Sequence, residues 1–362
     1  MTKHKNGKKL LSQKQFKYEK DKDIKEEFLS PFRQNNLKPS TAKTVRSILF
    51  KVDEYENQID KSIYDFSLEE RDDFITSMFP NKSRDVVNVT RSYLVGYVNY
   101  CIDNNLVRHM ENRFSLISID DVDKYVNTVA VKMKYLSKEE IREAQDKLVN
   151  NCDKLMLRLI PLSIRGRTEE GNTNEELINL RVKDAIESYE THKLKVWNND
   201  ADYRYVEIND EIVDLLKKTI ADDRYTINNG SQYSKKGHNK IAGRGIGNKS
   251  FPLNDTDYVF RTSGNKHGKV RVNFFNLRIN SFKKWIGNPY ITITNLYNSG
   301  IIDYAIQLKN EKGAELDNDD YNNIIEKFTY GNPQISQDGS EDWSVPIAKI
   351  KSMVKDYIEL KS

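Results

Sequence analysis

Along most of this chain apolar residues recur at helical spacing, and only briefly do they alternate. Val45, Ile48, Leu49 and Val52 follow the i, i+3, i+4, i+7 rule behind Pro39-Ser40, a helix-opening pair. Ser67-Leu-Glu-Glu70 has the form of a capping box and predicts a short helix ending near Phe79. Ser83 then opens a longer helix with Val87, Leu94, Val98 and Cys101 on one face and Arg84, Asn88 and Arg91 beside that stripe. Four or so helices within about 100 residues predict one small all-α domain.

Residues 114–134 read as a helix plus connector, and a second capping box, Ser137-Lys-Glu-Glu140, opens a new helical unit. The run Leu155 to Ile164 is apolar on most sides and is expected to be buried. Segments 192–197 and 203–208 alternate like two strands joined by the polar turn Asn198–Asp202, with a helix from about Asn209 to Ile220 behind them. Residues 225–250 read as a long Gly/Asn/Lys loop, Tyr258–Arg261 as a short strand, and 345–360 as the last helix. The predicted fold is mainly α with a small β component: a basic, disordered tail over 1–23, a helical domain over 24–125, a linker over 126–136 and an α+β domain over 137–362.

Composition narrows the function classes. The 362 residues are 31% charged and 37% hydrophobic, enough for two cores. The longest apolar-rich run is broken by Arg158, so no membrane span is expected. Cys101 and Cys152 lack a metal-like partner and the five histidines are scattered, so neither metal nor cofactor is expected, and the thiols suit a reducing cytoplasm. Net charge is only +4, but it is unevenly placed. Eight lysines lie between Thr2 and Lys22 against Glu19 and Asp21, and twelve Lys or Arg lie between Lys235 and Lys284 against Asp255 and Asp257. Same-sign blocks mark a polyanion surface, although a lysine-rich tail is more often simply solvated.

The order of elements resembles the tyrosine recombinase (phage integrase) superfamily over roughly residues 24–362. Leu37-Lys-Pro-Ser-Thr-Ala-Lys-Thr-Val45 looks like the start of a core-binding domain, and Tyr135-Leu-Ser-Lys-Glu-Glu140 like the entry to a catalytic domain. Glu176-Leu177, Leu180 and Asp184 match the first catalytic box, and Val206-Glu-Ile208 after Arg204 matches the hairpin that carries a catalytic lysine. The resemblance implies a two-domain DNA clamp. It also implies a tyrosine nucleophile, two arginines and a histidine-type donor on the phosphorane, and a lysine that protonates the leaving oxygen.

Those positions are vacated in the registration. The first arginine falls on Thr173, the lysine near Asn199, and the His-x-x-Arg pair on Ile286 and Pro289; the nucleophile region near Ser340–Trp343 holds no tyrosine, and Tyr330 and Tyr357 fit poorly. An insertion returning Arg165 or Arg167 to the site is the alternative. Loss of one charge-stabilising arginine alone can cost about 10³–10⁵ in phosphoryl transfer, so the expectation is a protein that grips DNA without cutting it.

DNA contacts are expected from Lys43 and Arg46, or else these form a solvated helix face; from Arg84, Asn88 and Arg91 in the major groove; and from Lys235, Lys236, Lys240, Arg244, Arg261, Lys266, Lys269 and Arg271, with Arg278 extending that surface. Phe274, Phe275, Phe282 and Trp285 are expected in a core. A vacated integrase scaffold in a Lys/Asn/Ile-rich chain is similar to the integrase-like master repressors of lysogeny in SPbeta-type, arbitrium-controlled Bacillus phages. That resemblance implies a transcriptional repressor of a prophage, bound to double-stranded DNA in the host cytoplasm, at the nucleoid, and countered by small phage proteins. The alternatives are an active, divergent recombinase, and an accessory protein assembling on another recombinase through its C-terminal helix.

Overall fold

The computed structural model describes residues 15–18, 20–34, 39–79, 84–107, 110–118, 120–126, 128–166, 174–230, 250–263, 268–271, 273–329, 334–335 and 341–361. It divides into two compact units, Met1–Val131 and Lys132–Ser362. Among the described residues no helix is long and apolar enough to cross a membrane.

The first unit is helical: α1 (Lys22–Gln34), α2 (Pro39–Ile59), α3 (Leu68–Met78) and α4 (Arg84–Asp103). The predicted stripe of α2 is its buried face, with Val45, Ile48, Leu49 and Val52 all enclosed. α4 buries Val87, Leu94, Val98 and Cys101, and a ladder of edge-to-face rings (Tyr55, Phe66, Phe74, Phe79, Phe114) fills the space beneath. Each such aromatic pair adds roughly 0.5–1.5 kcal/mol beyond its buried area. The box at Ser67 forms as predicted, its hydroxyl accepting the Glu70 N–H and the Glu70 carboxylate accepting the Ser67 N–H.

The expected tail over 1–23 needs correction at its end. From Gln15 the chain lies on the first unit with period-two burial: Phe16 and Tyr18 are inside, Gln15 and Lys17 outside. The backbone N–H groups of Lys17 and Tyr18 donate to the two oxygens of Asp53 on α2 at 2.8 and 2.9 Å. Lys25, wholly buried on α1, pairs with Asp53 at 3.3 Å and with Glu56 at 2.5 Å. Lysine-rich composition hid two aromatics at i, i+2, which is a strand-like signal.

α5 (Thr128–Lys134) leads into the second unit, which opens with α6 (Lys138–Asp146) and α7 (Asn151–Leu159). The Ser137 box is also closed on both sides. α7 is largely enclosed, with Leu155, Met156, Leu157 and Leu159 at zero exposure, while Arg158 reaches out to Glu211. After α8 (Glu175–Ile178) and α9 (Val182–Thr191), strands β1 (Lys193–Trp197) and β2 (Tyr203–Glu207) pair antiparallel with Val196 opposite Arg204. α10 (Asp210–Ala221) starts from Asn209, whose side chain accepts the Ile212 N–H.

Two departures follow. The chain forms β3 (Arg224–Thr226) against β4 (Ser250–Pro252), so the predicted loop over 225–250 is bracketed by a strand pair. Tyr258–Arg261 is no strand; it meets Arg181 in a single bridge, and Val259 donates to the Leu180 carbonyl. Phe275 and Phe282 of α11 (Asn273–Phe282) are buried and Phe274 and Trp285 half-buried, so this aromatic set is core.

α12 (Ile293–Lys312) crosses the turn Ile160–Leu162 at Gly300, where a Cβ would lie 1.9 Å from the Pro161 carbonyl oxygen. α13 (Asn318–Phe328) and the small pair β5 (Gln334–Ile335) and β6 (Glu341–Asp342) precede α14 (Ser344–Lys361). α14 folds back on its own unit: Ile350, Met353 and Val354 are buried against α12 and α13, and Lys361 bonds Glu140. Self-association through this face would require its release.

Candidate cleavage pocket and nucleic-acid interface

The registered catalytic region is built on a tight backbone crossing. Gly166 has φ +70°, and a Cβ there would sit 2.7 Å from the Glu176 backbone nitrogen, so this position requires glycine. Arg165 N–H donates to Glu176 Oε2 at 2.8 Å, Glu176 N–H to the Arg165 carbonyl at 3.2 Å, and Asn174 N–H to the Gly166 carbonyl at 3.1 Å. These bonds close the neck of segment 167–173; Arg167 and the registered Thr173 lie outside the described residues.

Into this crossing β2 sends Arg204. Its Nε donates to Glu176 Oε1 at 2.6 Å and one Nη to Glu176 Oε2 at 2.9 Å and the Ser163 carbonyl at 2.8 Å. The other Nη reaches Ser163 Oγ at 3.0 Å and the Lys327 carbonyl at 3.4 Å. A guanidinium has five N–H donors, and here five acceptors surround it. Glu176 is buried, so this is an enclosed fork-to-fork ion pair. Nothing of Arg204 remains for a phosphate unless the pair opens. The Arg165 guanidinium lies 5.3 Å from the Tyr297 ring centre, and burial pushes the Tyr297 hydroxyl up to about 12, against the opposing pull of Arg165 and Arg204.

At the registered lysine, Asn199 closes its own turn: its Oδ1 accepts the N–H groups of Ala201 and Asp202 at 2.9 and 2.8 Å. The tip it shapes carries Asp200, highly exposed and 3.0 Å from Arg181. Ile286 is buried in the π-helical turn Lys283–Gly287, and Pro289 is exposed just beyond it. Tyr357 sits half-buried on α14, its hydroxyl pKa raised by burial and then by Glu140 and Asp303, opposite to what activates a nucleophile. Tyr330 lies outside the described residues.

The candidate DNA contacts separate into free and engaged cations. Lys43 is exposed and begins a row along α2 with Ser47 and Lys51, but Lys51 is engaged, bonding the Met78 carbonyl and lying 4.3 Å from the centre of the Phe79 ring. This row borders an open groove of about 420 Å³ whose α4 side is Val86, Val89 and Thr90. At 100° per residue Arg84, Asn88 and Arg91 lie on the other flank of α4, so the two predicted sets do not share one surface. Sequence reasoning missed Ser47, Lys51, Val86 and Val89; the i, i+4, i+8 spacing of Lys43, Ser47 and Lys51 was the available signal. Arg91 is half-buried, its Nε enclosed.

Two expected contacts are corrected. Arg46 lies over the rings of Phe16 and Phe50, at 5.6 and 5.2 Å, with Glu26 at 3.4 Å, so it is a packing group. Arg261 donates to the carbonyls of Thr219, Ile220 and Asp222 at 2.8, 3.2 and 2.5 Å, capping the C-terminus of α10 where a cation complements the helix dipole. Arg278 likewise stacks on Tyr225 at 3.6 Å, close enough to Asp153 to act on its charge. Lys269 and Arg271 are exposed. Lys235, Lys236, Lys240, Arg244 and Lys266 lie outside the described residues.

A family model described as the MrpR C-terminal catalytic domain matches residues 135–360, and one described as the MrpR N-terminal core-binding domain matches residues 18–103. The chain belongs to the MrpR family. Among known proteins, the chain is similar to the SPbeta prophage-derived uncharacterized protein YopR of Bacillus subtilis (strain 168), with 24% identity over 312 residues, 84% of this chain and 87% of that protein. Among solved structures the chain is similar to XerA recombinase, with 14% identity, 93% and 97% coverage and a TM-score of 0.35. It is also similar to XerH site-specific recombinase bound to palindromic difH substrate in a post-cleavage complex, with 13% identity, 95% and 83% coverage and a TM-score of 0.40. The MrpR match starts at residue 18 and so includes Tyr18 of the docked N-terminal segment. The matched core-binding and catalytic domains follow the two-domain order that the motifs implied.

Proposed function

We propose that this MrpR-family chain binds double-stranded DNA at specific sites, does not cleave it, and acts as a repressor that keeps a prophage silent in the bacterial cytoplasm. The observation that carries the non-cleaving half is the filling of the registered catalytic positions: an amide that closes its own turn at Asn199, a buried aliphatic at Ile286 and an imino acid at Pro289. None supplies a proton or a positive charge to a phosphorane, and the neighbouring Arg204 is neutralised by Glu176. Binding needs none of that chemistry, because affinity for duplex comes from cations along a surface and sequence choice from side chains on helices. Lys43 and Ser47 on α2, and Arg84, Asn88 and Arg91 on α4, are of the types that serve those two tasks. The prophage-derived relative supports the prophage context.

The test is footprinting on prophage DNA with a parallel nicked duplex that would trap a tyrosine–DNA adduct. Protection of discrete sites with no covalent adduct is expected. An adduct would establish an active recombinase, and failure to bind any duplex alone would favour an accessory protein working on another recombinase.

A further inference from the structure

One stretch of the second unit carries no negative charge. Between Asp257 and Asp303 there is no aspartate or glutamate, in a chain where those residues number 54 of 362. α11 lies in the middle of that stretch. Its inward face is set by Phe275, Ile279 and Phe282, spaced i, i+4 and i+7 and all buried. Arg278 is turned aside onto the rings of Tyr225 and Phe274, at 3.6 and 5.1 Å. The opposite face is open to solvent.

That open face is made of amides. Asn273, Asn276 and Asn280 are exposed and, at about 100° per residue, fall within about 60° of one another around the helix. Among the described residues their side chains have no hydrogen-bond partner. Leu277 stands beside them, 67% exposed. Asparagine is a weak helix former and an exposed leucine gains nothing from burial, so neither helix propensity nor packing accounts for this stripe. α13 also exposes Asn322 and Asn323, but its Asp319, Asp320 and Glu326 would repel a polyanion. α11 has the reverse surroundings: Lys269 and Arg271 are exposed just ahead of its first turn, Lys269 touching only the ring of Tyr258.

We propose that α11 is a second sequence-reading helix, lying in the major groove of duplex DNA with Asn276 and Asn280 on adenines and Leu277 on a thymine methyl. An asparagine amide donates and accepts at once, which matches the N6 donor and N7 acceptor of adenine, and an apolar side chain suits the methyl group. Asn276 and Asn280 are about 6 Å apart along the helix axis, close to two base-pair steps of roughly 3.4 Å. Lys269 and Arg271 hold the flanking phosphates, which sets the register without carrying sequence. The inference rests on the DNA-binding reading above and adds a reader in the second unit to those of α4.

The experiment compares the full chain with Asn276→Ala/Asn280→Ala on the footprinted site and on a scrambled duplex. Alanine is the better helix former, so the unfolding midpoint should hold or rise and lost binding is not lost folding. The expected result is a roughly tenfold or greater loss of preference for the site, with affinity for the scrambled duplex and the salt slope unchanged. Replacing the adenines of the site one at a time by 7-deazaadenine, which lacks the N7 acceptor, should weaken the unaltered protein at closely spaced positions and leave the variant indifferent there. Unchanged preference in the variant, equal loss on both duplexes, or a 7-deazaadenine response that persists in the variant would each overturn the reading role of α11 while leaving DNA binding intact. An unaltered chain that binds no duplex would remove both readings together.

Discussion

At the residue scale, the decisive distinction is between cations whose charge is already answered and cations that are free. Arg204 is the clearest case. Arg204→Ala would leave the Glu176 carboxylate buried without its fork, and breaking a buried pair in this way costs about 3–5 kcal/mol. Arg204→Lys should recover only part of that loss, since an ammonium lacks the bidentate geometry; urea unfolding of the three proteins measures both. Arg261→Ala should lower stability by about 1–2 kcal/mol through the lost carbonyl cap and leave the salt dependence of DNA binding where it was. The sequence could not tell these arginines from DNA contacts, because their partners lie far away in the chain: Glu176 for Arg204 and the 219–222 carbonyls for Arg261. The proposed vacancy rests on residue type instead. Asn199, Ile286 and Pro289 are unsuited to catalysis by residue type, before any geometry is known.

A second residue-scale consequence concerns pH. Burial lifts Glu56 from 4.5 to about 8, outweighing Lys25, which pulls the other way. The folded protein thus keeps a proton on Glu56 that the unfolded chain releases near 4.5. Its contribution to stability is fully present below that value and is lost as pH rises through about 8, since the folded state binds more protons throughout the interval. Unfolding midpoints measured between pH 5 and 9 should fall for the wild type. Glu56→Gln should flatten that decline; an identical decline in the variant would locate the titration elsewhere.

At the scale of elements, what was readable is what local chemistry decides. Both capping boxes, at Ser67 and Ser137, close as their spacing requires, and the strands flanking Asn198–Asp202 follow from two-residue alternation. Ser137→Ala should cost about 1 kcal/mol, read as a shift in the urea midpoint. What was not readable depends on distant partners. The β3–β4 pair joins segments separated by a polar stretch with no hairpin signal, and the docked Phe16-Lys17-Tyr18 needs Asp53 on another helix. Gly300 belongs to the same class. Nothing in its neighbours marks it, yet α12 passes so close to Pro161 that an added methyl meets the carbonyl oxygen. Gly300→Ala should therefore destabilise by at least about 1–3 kcal/mol, the usual range for overpacking, despite alanine's better helix propensity. A neutral or stabilising result would mean the crossing relaxes freely.

At the scale of the whole molecule, a net charge of +4 is too small for the average field to hold DNA, so affinity must come from where free cations sit. Of the candidate contacts, the described surface offers Lys43 on α2 and, in the second unit, Arg271 and the exposed Lys269, which touches only the Tyr258 ring at 5.3 Å, whereas Arg46, Arg204, Arg261 and Arg278 are engaged in packing. The salt dependence of binding should therefore respond to the first group and ignore Arg261 in the second. With roughly six phosphates neutralised, the slope of log affinity against log salt is expected near −5. Replacing Lys269 and Arg271 together by Ala should make it shallower by about 2 and weaken all sequences alike, because phosphate contacts carry no sequence. Arg91→Ala should instead narrow the gap between preferred and random sites at nearly constant slope. If the paired substitution erased one site selectively, or if Arg261→Ala flattened the salt response as strongly, the division between free and engaged cations would be wrong, and with it the proposed account of how this chain holds DNA.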